Sequence, residues 1–308
     1  MEQLNRLPAG IGAKSFGHQS LARLGLCLGL AGLDPRVYQI LFLGSFLTAG
    51  ALLRDFSVQA AQIIATFAVA NATQYFWLRR LNLRQLGFLS AIVTSFGISI
   101  LVRADNLWAH PLIALLAISS KFVLRIDERH VFNPANLGAI LAAYVLPGTW
   151  ISSGQWGQNV ILAGWFLAFG TIVTQRSRRI DIGWCFLAFF LGLMTLRVLV
   201  LGQNPWIIAH QLQNGALLLF AFFMISDPMT TPRHTGARIA YAFMVALIAL
   251  IWQFVFFKPN GLILSLFVLS PLVIWLNRQM PAAAYQWRPT AVNVEAESTQ
   301  RSGSSNSG

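Results

Sequence analysis

Apolar residues run through this chain in long, nearly uninterrupted blocks, and that grain limits the fold more than any motif does. A bilayer-crossing helix needs about 20 mostly apolar residues. Candidate segments lie near 38–53, 57–78, 85–102, 108–124, 135–148, 158–174, 182–201, 206–225, 237–257 and 259–277. A soluble chain would need about a quarter of its residues charged to cover its surface; here the share is 10%, so most of the outer surface is expected to face lipid. The expected fold class is all-α, a polytopic membrane protein with about ten transmembrane helices. The segments 108–124 and 135–148 are short enough to be partial helices.

Basic residues test that count, because cytoplasmic loops collect Lys and Arg. With the N-terminus inside, eighteen of the 22 Lys and Arg fall on the cytoplasmic side, leaving Arg54, Arg103, Arg197 and Lys258 outside. A miscounted span would invert every later loop, so an even count with both termini cytoplasmic is expected. Residues 1–36 then form a cytoplasmic or interfacial segment, 37–280 the transmembrane domain, and 281–308 a tail too poor in apolar residues to fold. The net charge of +12 is scattered between apolar blocks and follows no phosphate backbone, so nucleic acid is not an expected partner. Cys27 and Cys185 have neither CxxC spacing nor histidine partners, so no metal site or disulfide framework is expected.

The ten acidic residues lie in loops, tails or span ends, never at a helix centre. Ion-coupled pumps usually keep a carboxylate in mid-membrane, which weighs against a self-sufficient cation transporter. One polar stripe does cross the bilayer: Gln59, Gln62, Thr66 and Thr73 share one helical face. Interhelical hydrogen bonding is the favoured reading of the stripe, and a pore or cofactor wall the alternative.

Two loops on the expected cytoplasmic side hold the densest polar chemistry: "RIDERHVFNPANLG" and "FFMISDPMTTPRHTG". Each places a small polar residue before proline between apolar segments. Proline removes a backbone donor and disfavours helix in the residue before it. Broken backbone in a membrane persists only where it is buried in protein or lines a polar cavity, so two breaks on one face suggest a shared site. Asn133 would cap a helix opening at Pro134, and Asp227 one beginning at Pro228. Lys121, Arg125 and Arg129 also have a plain use in fixing orientation.

The stretches "KFVLRIDERHVFNPANLG" and "FFMISDPMTTP" resemble the paired motifs of the family that contains the RnfD protein of the Rnf electron-transport complex and the NqrB protein of the sodium-pumping NADH:quinone reductase. The positions that match are His130, Phe132, Asn133, Pro134, Gly138, Asp227 and Pro228. The resemblance covers roughly residues 35–280. It implies a multi-pass subunit of the cell inner membrane that carries a flavin and passes electrons between partners, in some complexes linked to Na+ or H+ movement. Members of the full complexes carry FMN on a threonine of a Ser-Gly-Ala-Thr motif. Here residues 147–158 read "PGTWISSGQWGQ", with Gln155-Trp156 where Ala-Thr would stand. The acceptor threonine of a covalent FMN is missing, so the flavin expected, FMN or riboflavin, is noncovalent.

An isoalloxazine needs an apolar slot with a few hydrogen-bonding groups. Phe132, Asn133, Asp227, Thr230 and Thr231 are the candidate cofactor-binding residues, and no catalytic residue is assigned. The chain carries no haem histidine pair and no iron–sulfur cysteines, so it is at most one redox subunit of a multi-component oxidoreductase. Other membrane or membrane-associated redox subunits, a quinone and the lipid bilayer are the expected partners. The alternative is a small-solute channel or transporter on a related helical scaffold without flavin; a structural anchor for other subunits is a third reading.

Overall fold

The computed structural model describes residues 34–53, 59–83, 87–127, 129–152 and 160–285, and helix dominates them. In chain order the helices are α1 (Pro35–Leu53), α2 (Ala60–Arg80), α3 (Leu89–Leu101), α4 (Ala109–Val123), α5 (Pro134–Tyr144), α6 (Val160–Arg176), α7 (Ile180–Val200), α8 (Trp206–Leu212), α9 (Gly215–Leu219), α10 (Thr235–Phe254), α11 (Gly261–Leu269) and α12 (Leu272–Gln279). A π-helical turn, Phe220–Met224, continues α9. Four short strands, β1 (Val102–Ala104), β2 (Arg125–Ile126), β3 (Arg129–His130) and β4 (Thr149–Ile151), qualify the all-α expectation.

Each of the ten expected segments carries helix, but several are not single rods. Segment 206–225 divides into α8, α9 and the π turn, and segment 259–277 into α11 and α12, bent by 49°. Segment 135–148 is covered only as far as Tyr144, by the 11-residue helix α5, which starts at Pro134. Among the described residues, two helices, α7 and α10, are each long and apolar enough to cross a membrane, and the bent pair α11–α12 makes a third if it is one span. Most of each apolar window in α7 and α10 lies on the outside, with 39% buried, and Leu196, Leu199 and Val200 are prominently exposed. Lipid, not water, is the solvent that suits such faces. Both chain termini, the loop residues 153–159 and the tail from 286 lie outside the described residues.

The packing follows from small residues and aromatic rings. α7 packs along α10, α10 along α11, α2 along α3 and α4, and α1 along α3. Gly97 lets α3 approach α5: a Cβ there would stand 2.7 Å from the Cβ of Ala135. Gly170 of α6 similarly makes room for the Phe222 ring of the π turn, which a Cβ would meet at 2.6 Å. Phe223 of the same turn stacks on Phe42 of α1 at 4.6 Å, and Phe46 meets Phe166 edge to face at 4.3 Å. The strands hold the ends of the short helices. β1 follows α3 and pairs antiparallel with β4, which follows α5. The Thr149 hydroxyl is shared between the carbonyls of Ala142 and Leu146, closing the last turn of α5.

Candidate functional site

The first X-Pro loop begins where α4 stops. Leu124 leaves the helical region, and β2 and β3 form a small hairpin in which Arg125 pairs with His130 and Ile126 with Arg129. Asn133 then takes extended backbone angles, and its Oδ1 accepts the Asn136 N–H at 3.1 Å, with Pro134 in the first helical position. The cap expected for this helix is therefore in place. Phe132 stacks on Phe267 of α11, ring centroids 4.7 Å apart, which pins the loop to a second helix.

The second loop differs from its expectation. No helix begins at Pro228; residues 227–234 run as turns and bends, and helix resumes at Thr235, capped by His234 through Nδ1 to the Gly236 N–H. A second proline, Pro232, lacks a backbone donor and keeps Thr231 out of helical geometry, so the turn at Pro228 cannot propagate. Asp227 is thereby freed from helix capping and becomes the hub of the loop. Its Oδ1 accepts the Met229 N–H at 3.0 Å, its Oδ2 the Thr230 hydroxyl at 3.2 Å, and its carbonyl the Thr231 hydroxyl at 3.0 Å.

The two loops meet. Asn133 Nδ2 donates to Asp227 Oδ2 at 3.1 Å, so one amide caps α5 and grips the other loop. Arg129 Nη2 donates to the carbonyls of Pro228 and Thr231. His130 Nε2 stands 3.7 Å from Asp227 Oδ2, an electrostatic contact beyond hydrogen-bond length. Behind the second loop, Arg238 of α10 binds Asp181 of α7 through Nε at 2.6 Å and Nη2 at 2.5 Å, and donates from Nη1 to the Arg233 carbonyl. Burial acts to raise the Asp227 carboxyl, but the neighbouring His130, the Met229 N–H and the Thr230 hydroxyl outweigh it. The group is held below the ordinary carboxylate range.

The joined loops form one wall of a cleft whose empty space, counted out to the solvent at its mouth, is about 1120 Å³. Asn133, Asp227 and His130 line it beside Lys121 of α4, Gln74 of α2 and Ser90 of α3, with Leu43, Val93, Phe223 and Met224 among its apolar surfaces. Lys121 is buried and donates from Nζ to Gln74 Oε1 at 3.0 Å and Ser90 Oγ at 2.7 Å. Its partners were invisible in sequence: Gln74 lies next to the stripe but off its face, and Ser90 sits in an apolar run. The one available signal was a lysine inside an otherwise apolar segment, where charge is costly.

Of the five candidate cofactor-binding residues, Asn133 and Asp227 line the cleft together. Thr230 and Thr231 are buried and spend their hydroxyls on Asp227, with Thr230 lining an adjoining pocket, while Phe132 lies on Phe267. The polar stripe of α2 mostly serves packing. Gln62 Nε2 donates to the Ala104 carbonyl at 2.8 Å, and the Thr66 hydroxyl lies 3.0 Å from His110 Nδ1 of α4, whereas Gln59 is exposed. The favoured reading, hydrogen bonds between neighbouring elements, holds for Gln62 and Thr66.

No curated protein matches this chain. Residues 149–285, which contain Asp227-Pro228 and the whole second loop, match the model of the "NQR2, RnfD, RnfE family". Helical architecture, lipid-suited outer faces and the Asp-Pro loop agree with that match, and over residues 149–285 the chain is similar to the NQR2, RnfD, RnfE family.

Proposed function

We propose that this protein is an inner-membrane subunit of an Rnf/Nqr-like redox system, passing electrons to and from partner subunits through a noncovalent flavin held in the Asn133–Asp227 cleft. The observation that carries the reading is the convergence of the two X-Pro loops on a large, mainly apolar cleft with a few fixed polar groups, the usual character of a cofactor pocket. When bound, a flavin supplies electron transfer in one- or two-electron steps. The protein's part is binding and tuning. Lys121, with two of its three N–H groups committed, retains one donor, and His130 Nε2 has no hydrogen-bond partner among the described residues. Both suit the carbonyl oxygens and ring nitrogens of an isoalloxazine. Asp227 fixes Asn133 and supplies negative charge beside His130, while the side chains of Leu43, Val93, Phe223 and Met224 exclude water from a ring. In this reading the helices α1–α12 cross or enter the bilayer as about ten spans, and a quinone is a further candidate partner.

The visible spectrum of detergent-purified protein, repeated on the supernatant after acid precipitation, tests the proposal. A flavin spectrum that moves into the supernatant, and that is lost in Asp227→Ala, is expected. A colourless protein after expression with excess riboflavin and candidate partner subunits would refute it.

A second reading has its own support. The cleft shares Leu101 and Met224 with a separate pocket lined by Gln211, Gln253 and Lys258, so two cavities adjoin beside the π turn. That arrangement suits solute passage. Flux into liposomes that rises on Met224→Ala, in protein free of flavin, would favour it.

A further inference from the structure

The pocket that contains Lys258 lies away from the two X-Pro loops, bounded by α8, α9 and the turn that joins α10 to α11. Its empty space, counted out to the solvent at its mouth, is about 870 Å³. Phe190, Leu217 and Phe220 give it apolar walls, while Gln211, Gln253 and Lys258 supply polar groups. No acidic residue is among its described lining residues, so Lys258 brings a positive charge that the pocket itself does not neutralise. The side chains of Gln211, Gln253 and Lys258 are committed to no hydrogen bond or ion pair among the described residues.

The turn that presents Lys258 is fixed by its own backbone. The Phe256 N–H donates to the Ile251 carbonyl at 3.3 Å and the Lys258 N–H to the Trp252 carbonyl at 3.2 Å, while Trp252 Nε1 donates to the Pro259 carbonyl at 3.2 Å. Asn260, at φ 63°, turns the chain left-handed into α11. Gly261 then lets α11 close on α10, since a Cβ there would stand 2.6 Å from the Ala249 carbonyl oxygen. The surface beside this turn is oily: Phe256 and Phe257 immediately precede Lys258 and are exposed, Phe257 by 82%, and Trp206 is exposed at the start of α8. Exposed aromatic rings next to a cation are the character of a membrane–water interface.

An anion satisfies Lys258, and its remaining oxygens can accept from the two carboxamides. A soluble anion would leave the apolar walls and the exposed rings uncovered. An amphiphile covers both. We propose that this pocket binds an anionic phospholipid, with the phosphate at Lys258, Gln211 and Gln253 and the acyl chains on the apolar walls and the neighbouring rings.

The test is the thermal unfolding midpoint of delipidated protein in mild detergent, followed as phosphatidylglycerol or phosphatidylcholine of equal chain length is added. Half of the stabilisation should be reached at about fivefold less phosphatidylglycerol, the effect of one nearby lysine on an anionic headgroup. Lys258→Gln should bring the two lipids close to parity, and Lys258→Arg should keep most of the preference. Gln253→Leu, at an exposed position, should weaken both lipids alike, because both carry a phosphate. Arg278→Gln, on the expected opposite face, should leave the preference unchanged. A preference that survives Lys258→Gln, or that is lost instead in Arg278→Gln, would overturn the site. Equal stabilisation by glycerol phosphate, which has no acyl chains, would overturn the lipid and leave a site for a soluble anion.

Discussion

The loops around Asn133-Pro134 and Asp227-Pro228 look alike in sequence, yet they do opposite work. After Pro134 the chain reads "ANLGAILAAY", helix-forming and apolar, so Asn133 caps a real helix, its amide oxygen accepting the Asn136 N–H. After Pro228 it reads "MTTPRHTG", and Pro232 stops any helix before its first turn is complete. Asp227 then gathers donors from Met229, Thr230 and Asn133. The same small-polar-proline signature makes an anchor in one loop and a hub in the other. The residues after the proline decide between the two.

The largest effect is expected at the hub. Asp227→Ala leaves three donors without their acceptor, two of them in the loop itself, and should cost about 3 kcal/mol of stability in detergent unfolding. A loss below about 1 kcal/mol would show that the loops are not joined through this carboxylate. Because folding depresses this carboxyl, its contribution is fully present above the ordinary unfolded value, about 3.9, and disappears as pH falls through the lower folded value. The stability gap between the natural protein and Asp227→Asn should therefore hold steady from about pH 7 to pH 5 and close below about pH 4.

Next in size is the bridge between the loops. Arg129→Ala removes the donors to the Pro228 and Thr231 carbonyls and should cost about 2 kcal/mol. Arg129→Lys should recover less than half of this, since an ammonium lacks the planar fork; full recovery would argue for simple charge. Asn133 separates its two tasks by substitution. Asn133→Ser keeps a capping oxygen but loses the grip on Asp227, whereas Asn133→Ala loses both, and the cap alone should account for about 1 kcal/mol between them. The smallest change is expected from Pro232→Ala, within about 0.5 kcal/mol. It should slow amide hydrogen exchange across 231–235 as helix extends backward. Unchanged exchange would move the cause of the late helix start away from the proline.

Much of the fold could be read locally. Apolar blocks marked where helices form, and the Asn-Pro step marked the start of α5, because block length and capping depend on residues close together in sequence. The breaks inside those blocks were harder. The π turn at Phe220–Met224 exists where Phe222 and Phe223 must fit Gly170 on α6 and Phe42 on α1, partners about 50 and 180 residues away. The late start of α10 was legible in principle from Pro232. A second proline four residues after the first signals a stalled helix.

The candidate site divides in the same way. Sequence alone determined the polar inventory of the two loops, the scarcity of charge elsewhere and the apolar faces that suit lipid, since each follows from composition and periodicity. Only the tertiary structure decided that Asn133 and Asp227 touch, that Arg129 ties one loop to the other, and that Lys121 turns inward to Gln74 and Ser90. A hydrogen bond needs its partners within about 3 Å, and residues 47 or 94 positions apart reach that distance only after the helices between them have packed.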